Sequence, residues 1–161
     1  MATVNLSAFE KENLPKLSGA KIAIVVAEWN NEITEGLFNG CYHTLVECGV
    51  QPTEIIRKNV PGSFELPMGA QFVLENTDVD GVVCIGSVIQ GETKHFDFVC
   101  QASALGIKDV ALKYNKPVIF SVLTDNTKQQ AIDRSGGLKG NKGVEAAVTV
   151  IKMIDLQRSL R

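Results

Sequence analysis

The sequence predicts an α/β fold, a three-layer sandwich in which a four-stranded parallel sheet is covered by helices on both faces. Three observations carry that prediction. Short runs that are apolar throughout alternate with longer stretches of helical period. Each run leads into a helix-like segment, as in a chain built of strand–helix units. The runs also lack the in–out alternation of a sheet with one wet face, so both of their faces are buried. With right-handed crossovers this gives a doubly wound sheet of about four strands.

The elements follow in order. Lys21–Ala27 reads as a buried strand. The helix over Asn31–Cys48 carries Ile33, Leu37, Phe38, Cys41 and Leu45 on one face, and Gly49 stops it. Thr53–Val60 is a second strand and Ser63–Asn76 a second helix, with Ser63 as its expected N-cap. Gly81–Ile89 is a third strand, His95–Tyr114 a third helix and Pro117–Leu123 a fourth strand. Helices over Lys128–Arg134 and Lys142–Leu160 close the chain, the last with Val144, Ala147, Val148, Ile151 and Ile154 at helical spacing. Residues 1–19 form an N-terminal arm and residues 20–161 a single domain.

Composition narrows the classes of function. The chain is 161 residues long, 45% hydrophobic and 21% charged, which suits a globular domain and excludes disorder. A net charge of −2 gives no electrostatic reason to bind nucleic acid or an anionic membrane. Any phosphate must be held locally, by a few cations or backbone amides. Cys41, Cys48, Cys84 and Cys100 form no CxxC pair and lack zinc-ligand spacing, so they read as free buried thiols in a reducing compartment. The first residues lack a signal peptide's basic and apolar regions, and no apolar run approaches the roughly 20 residues needed to span a bilayer. The expectation is a cytoplasmic protein, or a plastid one after removal of a leader.

In doubly wound sheets ligands bind beyond the carboxyl ends of the strands. The loop after the third strand reads Gln90-Gly91-Glu92-Thr93-Lys94-His95 and opens a helix. Gly91 lets a backbone amide approach a ligand, Thr93 can cap the helix or meet an anion, and the first-turn amides point the same way. His95 stands in that first turn, where the helix dipole favours a neutral imidazole able to accept a proton. A surface histidine beside a capping threonine is the bland alternative. In the loop after the second strand, Pro61-Gly62 turns the chain, and Glu65 lies among first-turn amides able to meet a polyol. A well-capped turn explains most of that pattern as well. Trp29, followed by Asn30, could stack on a flat heterocycle or simply fill the core. Arg134-Ser135-Gly136-Gly137-Leu138-Lys139-Gly140-Asn141-Lys142-Gly143 is a mobile basic turn suited to clamping a phosphate, or else a solvated connection. It is no nucleotide P-loop, because the GxxxxGK[ST] order is missing.

Together these pieces resemble the lumazine synthase family. The likeness rests on Glu28-Trp29-Asn30, Val60-Pro61-Gly62-Ser63-Phe64-Glu65-Leu66-Pro67, Gly86–Asp97, Pro117–Thr124 and Arg134–Gly143, and runs from Lys21 to the C-terminus. It implies a flavodoxin-like sandwich and the condensation of 5-amino-6-(D-ribitylamino)pyrimidine-2,4-dione with 3,4-dihydroxy-2-butanone 4-phosphate. The products are 6,7-dimethyl-8-ribityllumazine, phosphate and water.

By that resemblance Trp29 stacks on the pyrimidinedione, where many relatives carry Phe, and adds a π-surface that suits riboflavin or lumazine as ligands. Asn30, Ser63, Phe64 and Glu65 hold the ring edge and ribityl chain, and Val88 and Ile89 add backbone contacts. Gly91, Glu92 and Thr93 meet the phosphate, with Arg134 as a fork. His95 moves the proton, Lys142 steers charge, and Phe120 comes from a neighbouring subunit. The chemistry needs no cofactor or metal, only proximity, a proton shuttle and stabilisation of the leaving phosphate. The implied assembly is a pentamer, free or closed into a sixty-subunit icosahedral capsid, with a functional link to riboflavin synthase.

Competing readings fare worse. A phosphoreceiver needs clustered acids at the ends of the first and third strands, where the chain has Ala27-Glu28-Trp29 and Ile89-Gln90-Gly91. A dinucleotide binder needs GxGxxG after the first strand, which is absent. A catalytically silent flavin- or lumazine-binding shell should lack His95 or Arg134, and both are present, while a flavodoxin-like binding module would give no product from the two substrates.

Overall fold

The computed structural model describes residues 7–161, so the first six residues of the predicted arm lie outside the described residues. Ile22-Ala23-Ile24-Val25-Val26-Ala27 forms strand β1 (Ile22–Ala27), and all six residues are buried. That pattern needs neighbours on both edges and layers on both faces, and β1 has them. The sheet order is β2-β1-β3-β4, with β2 (Ile55–Val60), β3 (Gly81–Ile89) and β4 (Val118–Asp125). Every pairing is parallel, with Ile22 opposite Ile55 on one side and Gly81 on the other, and Val82 opposite Val118. The edge strand β2 can afford Arg57, Lys58 and Asn59, because one of its sides faces no strand.

Two cores follow from the alternation of side chains across the sheet. On one face Ile22, Ile24, Val26, Val83 and Ile85 meet helices α1 (Asn31–Glu47) and α5 (Lys142–Ser159) through Leu37, Leu45, Val150 and Ile154. On the other, Ala23, Val25, Val82 and Cys84 meet α2 (Leu66–Asn76) and α3 (His95–Tyr114) through Leu66, Ala70, Ile107 and Val110. Each fully buried Val, Leu or Ile stabilises by roughly 1.5–3 kcal/mol, so these two layers dominate the energetics. Helices α1 and α5 pack almost backbone to backbone, since a Cβ at Gly143 would run into the carbonyl oxygen of Leu37. Because α1 and α2 leave the sheet on opposite faces, the chain reverses direction between β1 and β3, and a crevice opens there. Among the described residues no helix is long and apolar enough to cross a membrane.

Several expected boundaries shift for local reasons. Pro52–Glu54 forms a 3₁₀ turn, so β2 begins at Ile55 and not at Thr53. Ser63 is not a helix cap: Ser63–Glu65 is itself a 3₁₀ turn, and α2 starts at Leu66 with Pro67 in its first turn. Strand β4 runs on to Asp125, carried by its pairing with Ile89. The basic turn after α4 (Lys128–Arg134) is ordered as a small antiparallel pair, β5 (Ser135–Gly137) and β6 (Gly140–Asn141). All four cysteines are free, but Cys100 is only partly buried.

Candidate active site

The site grows from the ends of β1, β2 and β3. Past the last residue of β1 the ladder to β2 continues, with Glu28 N donating to Val60 O (2.8 Å) and Trp29 N to Pro61 O (3.1 Å). These bonds draw Trp29 over the Pro61-Gly62 turn. A Cβ at Gly62 would stand 2.8 Å from Cε3 of the indole, so only glycine lets the ring settle there. Asn30 takes the left-handed conformation (φ 59°), and its Nδ2 donates to Ser87 O (2.9 Å), tying this loop to β3. Trp29 remains 69% exposed, so it is not part of the core.

The second loop is fixed from below. Ser63 is buried with its hydroxyl against Gly86, where a Cβ would collide with it. Buried Ser103 of α3 donates to Ser63 O (2.9 Å), with Val99 O a second acceptor at 2.7 Å. Glu65 Oε2 is buried without a hydrogen-bond partner among the described residues. A buried carboxylate oxygen costs free energy unless something donates to it, and a polyol hydroxyl suits that role. The third loop is open. Residues 91–95 are exposed, Gly91 has no atom within 4 Å of a would-be Cβ, and His95 N donates to Thr93 Oγ1 (3.3 Å) at the start of α3.

A cleft of about 470 Å³ joins these groups. Eight expected residues line it: Trp29, Asn30, Ser63, Phe64, Glu65, Val88, Ile89 and His95. Ser87 and Val99 line it too, although neither was anticipated. Val99 lies four residues after His95 on α3 and could have been found from helical spacing. Gly91, Glu92 and Thr93 form an exposed stretch leading directly into His95. A larger cavity, about 670 Å³, lies between residues 11–16 and Glu47–Gly49 at the end of α1. None of the groups just described lines it, so it is the smaller cleft that meets the strands' carboxyl ends.

Phe120, Arg134 and Lys142 are not among the residues lining this cleft. Phe120 sits exposed on the edge strand β4. Arg134, at the end of α4, directs Nη1 to Glu145 Oε1 (3.1 Å) and to Lys139 O (3.1 Å). Lys142 Nζ meets Glu145 Oε2 (3.0 Å). Burial pushes the Glu145 carboxyl up, but the hydrogen bonds from Lys142 and Arg134 outweigh it and hold the group below its ordinary value. Asp125 shifts the other way: burial raises it, the charge of Arg134 offsets only part of that, and its Oδ2 has no hydrogen-bond partner among the described residues. Glu145 was missed from sequence, although its place three residues after Lys142 was a usable signal.

The cleft thus offers a flat aromatic face, a buried carboxylate oxygen and an exposed imidazole at a helix start. The chain matches the family model described as 6,7-dimethyl-8-ribityllumazine synthase over residues 19–158. Among its relatives, the 6,7-dimethyl-8-ribityllumazine synthase of Flavobacterium johnsoniae is 56% identical over 149 residues, covering 92% of this chain and 78% of that protein. The protein of the same name from Cytophaga hutchinsonii is 55% identical over 153 residues, covering 95% and 96%. That from Parabacteroides distasonis is 49% identical over 157 residues, covering 96% and 98%. With the fold, the crevice and its residues in agreement, the chain belongs to the 6,7-dimethyl-8-ribityllumazine synthase family.

Proposed function

We propose that the cleft under Trp29 is where this chain forms 6,7-dimethyl-8-ribityllumazine, the penultimate step of riboflavin biosynthesis. The chain is a transferase that condenses the ribitylamino-pyrimidinedione with 3,4-dihydroxy-2-butanone 4-phosphate. One observation carries the site assignment: Trp29, Glu65 and His95, which follow three different strands, line a single cavity. Trp29 stacks on the pyrimidinedione, Glu65 accepts from the ribityl hydroxyls, and Asn30, Ser63, Phe64, Val88 and Ile89 hold the ring edge and chain. The free amine attacks the ketone, and loss of water leaves an imine. Phosphate then departs, and closure of the second ring releases another water. His95 carries the protons between these steps, while Gly91, Glu92 and Thr93 offer amides and a hydroxyl to the phosphate.

Arg134, Lys142 and Phe120 reach such a cleft from a neighbouring subunit in this reading, which their absence from their own chain's cleft lining supports. The family assembles as oligomers, and we take the unit to be a pentamer, free or closed into a sixty-subunit shell. Riboflavin synthase would be the functional partner that consumes the product. Residues 1–19 are read as an arm on the single domain 20–161, and four free cysteines suit the cytoplasm.

The test is to mix the protein with both substrates and follow lumazine fluorescence. Product should form, and His95→Ala should slow turnover by about a hundredfold while sparing binding. No product at any pH would overturn the activity. Unchanged turnover in His95→Ala would overturn the role of His95.

A further inference from the structure

The cation pair at the α4–α5 turn is held from an unexpected direction. Ser7, in the arm, accepts from Asn141 N (2.6 Å) and shares its proton between Asn141 O (2.8 Å) and Glu145 Oε1 (3.3 Å). Asn141 commits its remaining polar groups as well. Its Nδ2 donates to Gly36 O (2.9 Å) on α1, and its Oδ1 caps α5 by accepting from Gly143 N (2.8 Å). A Cβ at Gly40 would stand 2.5 Å from that amide, so α1 is hollowed to receive it. The following residue is Lys142, and Glu145 lies one turn further on.

The carboxylate of Glu145 divides its contacts. Oε1 faces Ser7 and Arg134, and Oε2 faces Lys142. Its rotation therefore sets the spacing between the guanidinium and the ammonium. Two long cationic side chains on a lone carboxylate would keep much of their rotamer freedom. A third contact from the arm removes it. Among the described residues both contacts of Arg134 fall on Nη1, and its Nε–Nη2 edge makes no hydrogen bond.

We infer that Ser7 and Asn141 are positioning residues for the anionic substrate: through Glu145 they hold Arg134 and Lys142 in the arrangement that meets its phosphate. This rests on the assignment of Arg134 to the phosphate under the proposed function. The test is steady-state kinetics on the assembled, full-length enzyme with each substrate varied in turn. Ser7→Ala should raise KM for the butanone phosphate roughly threefold, and Asn141→Ala about tenfold, with KM for the pyrimidinedione and kcat changing far less. Ser7→Thr, which keeps the hydroxyl, should restore the wild-type KM.

Arg134→Ala serves as the reference. If it raises KM for the phosphate substrate while Ser7→Ala and Asn141→Ala do not, the positioning role is overturned and the phosphate assignment stands. If Arg134→Ala itself leaves that KM unchanged, the assignment fails and takes the inference with it. A parallel rise in both KM values with a lowered Tm would reduce Ser7 and Asn141 to packing, and would overturn the proposal even if only Ser7→Ala folds.

Discussion

Gly62 and Trp29 illustrate how one atom governs the cleft. The indole lies where a Cβ at position 62 would stand 2.8 Å from Cε3, closer than van der Waals contact allows. Gly62→Ala must therefore tilt or lift the ring, while the backbone at φ −146° accepts alanine without strain. The expected outcome is a roughly tenfold rise in KM for the pyrimidinedione, since about 1.4 kcal/mol of lost stacking is a factor of ten. The emission of Trp29, the only tryptophan in the chain, should shift in the same variant. An unchanged KM with unchanged emission would remove Trp29 as the platform. At this scale residue types were readable in advance, but the approach of Gly62 to Trp29 was not, because it joins two loops more than thirty residues apart.

Between elements, α3 does more than carry His95. Its Ser103 is fully buried and donates to the carbonyl of Ser63, bracing the turn that bears Phe64 and Glu65. Ser103→Ala leaves that buried acceptor without its donor, which costs about 1–3 kcal/mol. A lowered Tm with weaker binding of the ribityl substrate is expected, measured by thermal melting and by KM. Wild-type Tm and KM together would show that the turn holds itself. Periodicity placed α3 over His95–Tyr114, yet it could not reveal this brace. A serine inside a helix normally bonds back to its own turn, as Ser103 also does with Val99 O (2.7 Å).

For the whole molecule, acid sensitivity follows from carboxylates bound by cations across elements. The hydrogen bond from Arg57 holds Glu35 below its ordinary value, joining β2 to α1, where the same guanidinium lies 4.3 Å from the Phe38 ring centroid. Glu145 is likewise lowered, its burial outweighed by Lys142 and Arg134. A group with a lowered folded value contributes stability above its unfolded value and loses it as pH falls through the folded one. Asp125, raised by burial, works in the opposite sense and is relieved by protonation. With Glu35, Glu75, Glu145 and Asp78 all lowered against Asp125 raised, Tm should hold down to about pH 4.5, the ordinary glutamate value, and fall below it. Thermal melting across pH 3–7 checks this, and a Tm that climbs steadily on acidification would contradict it.

The amino-acid sequence by itself determined the layered α/β fold, the order of strands and helices, and eight of the residues that line the cleft. The fold and residues such as Trp29, Glu65 and His95 follow from local period, turn chemistry and the rule that ligands sit at strand ends, all encoded within a few residues of one another. Phe64, Val88 and Ile89 follow only from the family resemblance. Only the tertiary structure decided that Ser63 is a buried strut and not a cap, that the basic turn is a small paired element, and that Arg134 and Lys142 gather on Glu145 without lining their own chain's cleft. Such facts depend on contacts between segments far apart in sequence: Ser7 with Asn141, Ser103 with Ser63, Gly62 with Trp29. Their pairing is set by how two cores pack against one sheet, and no local pattern records it.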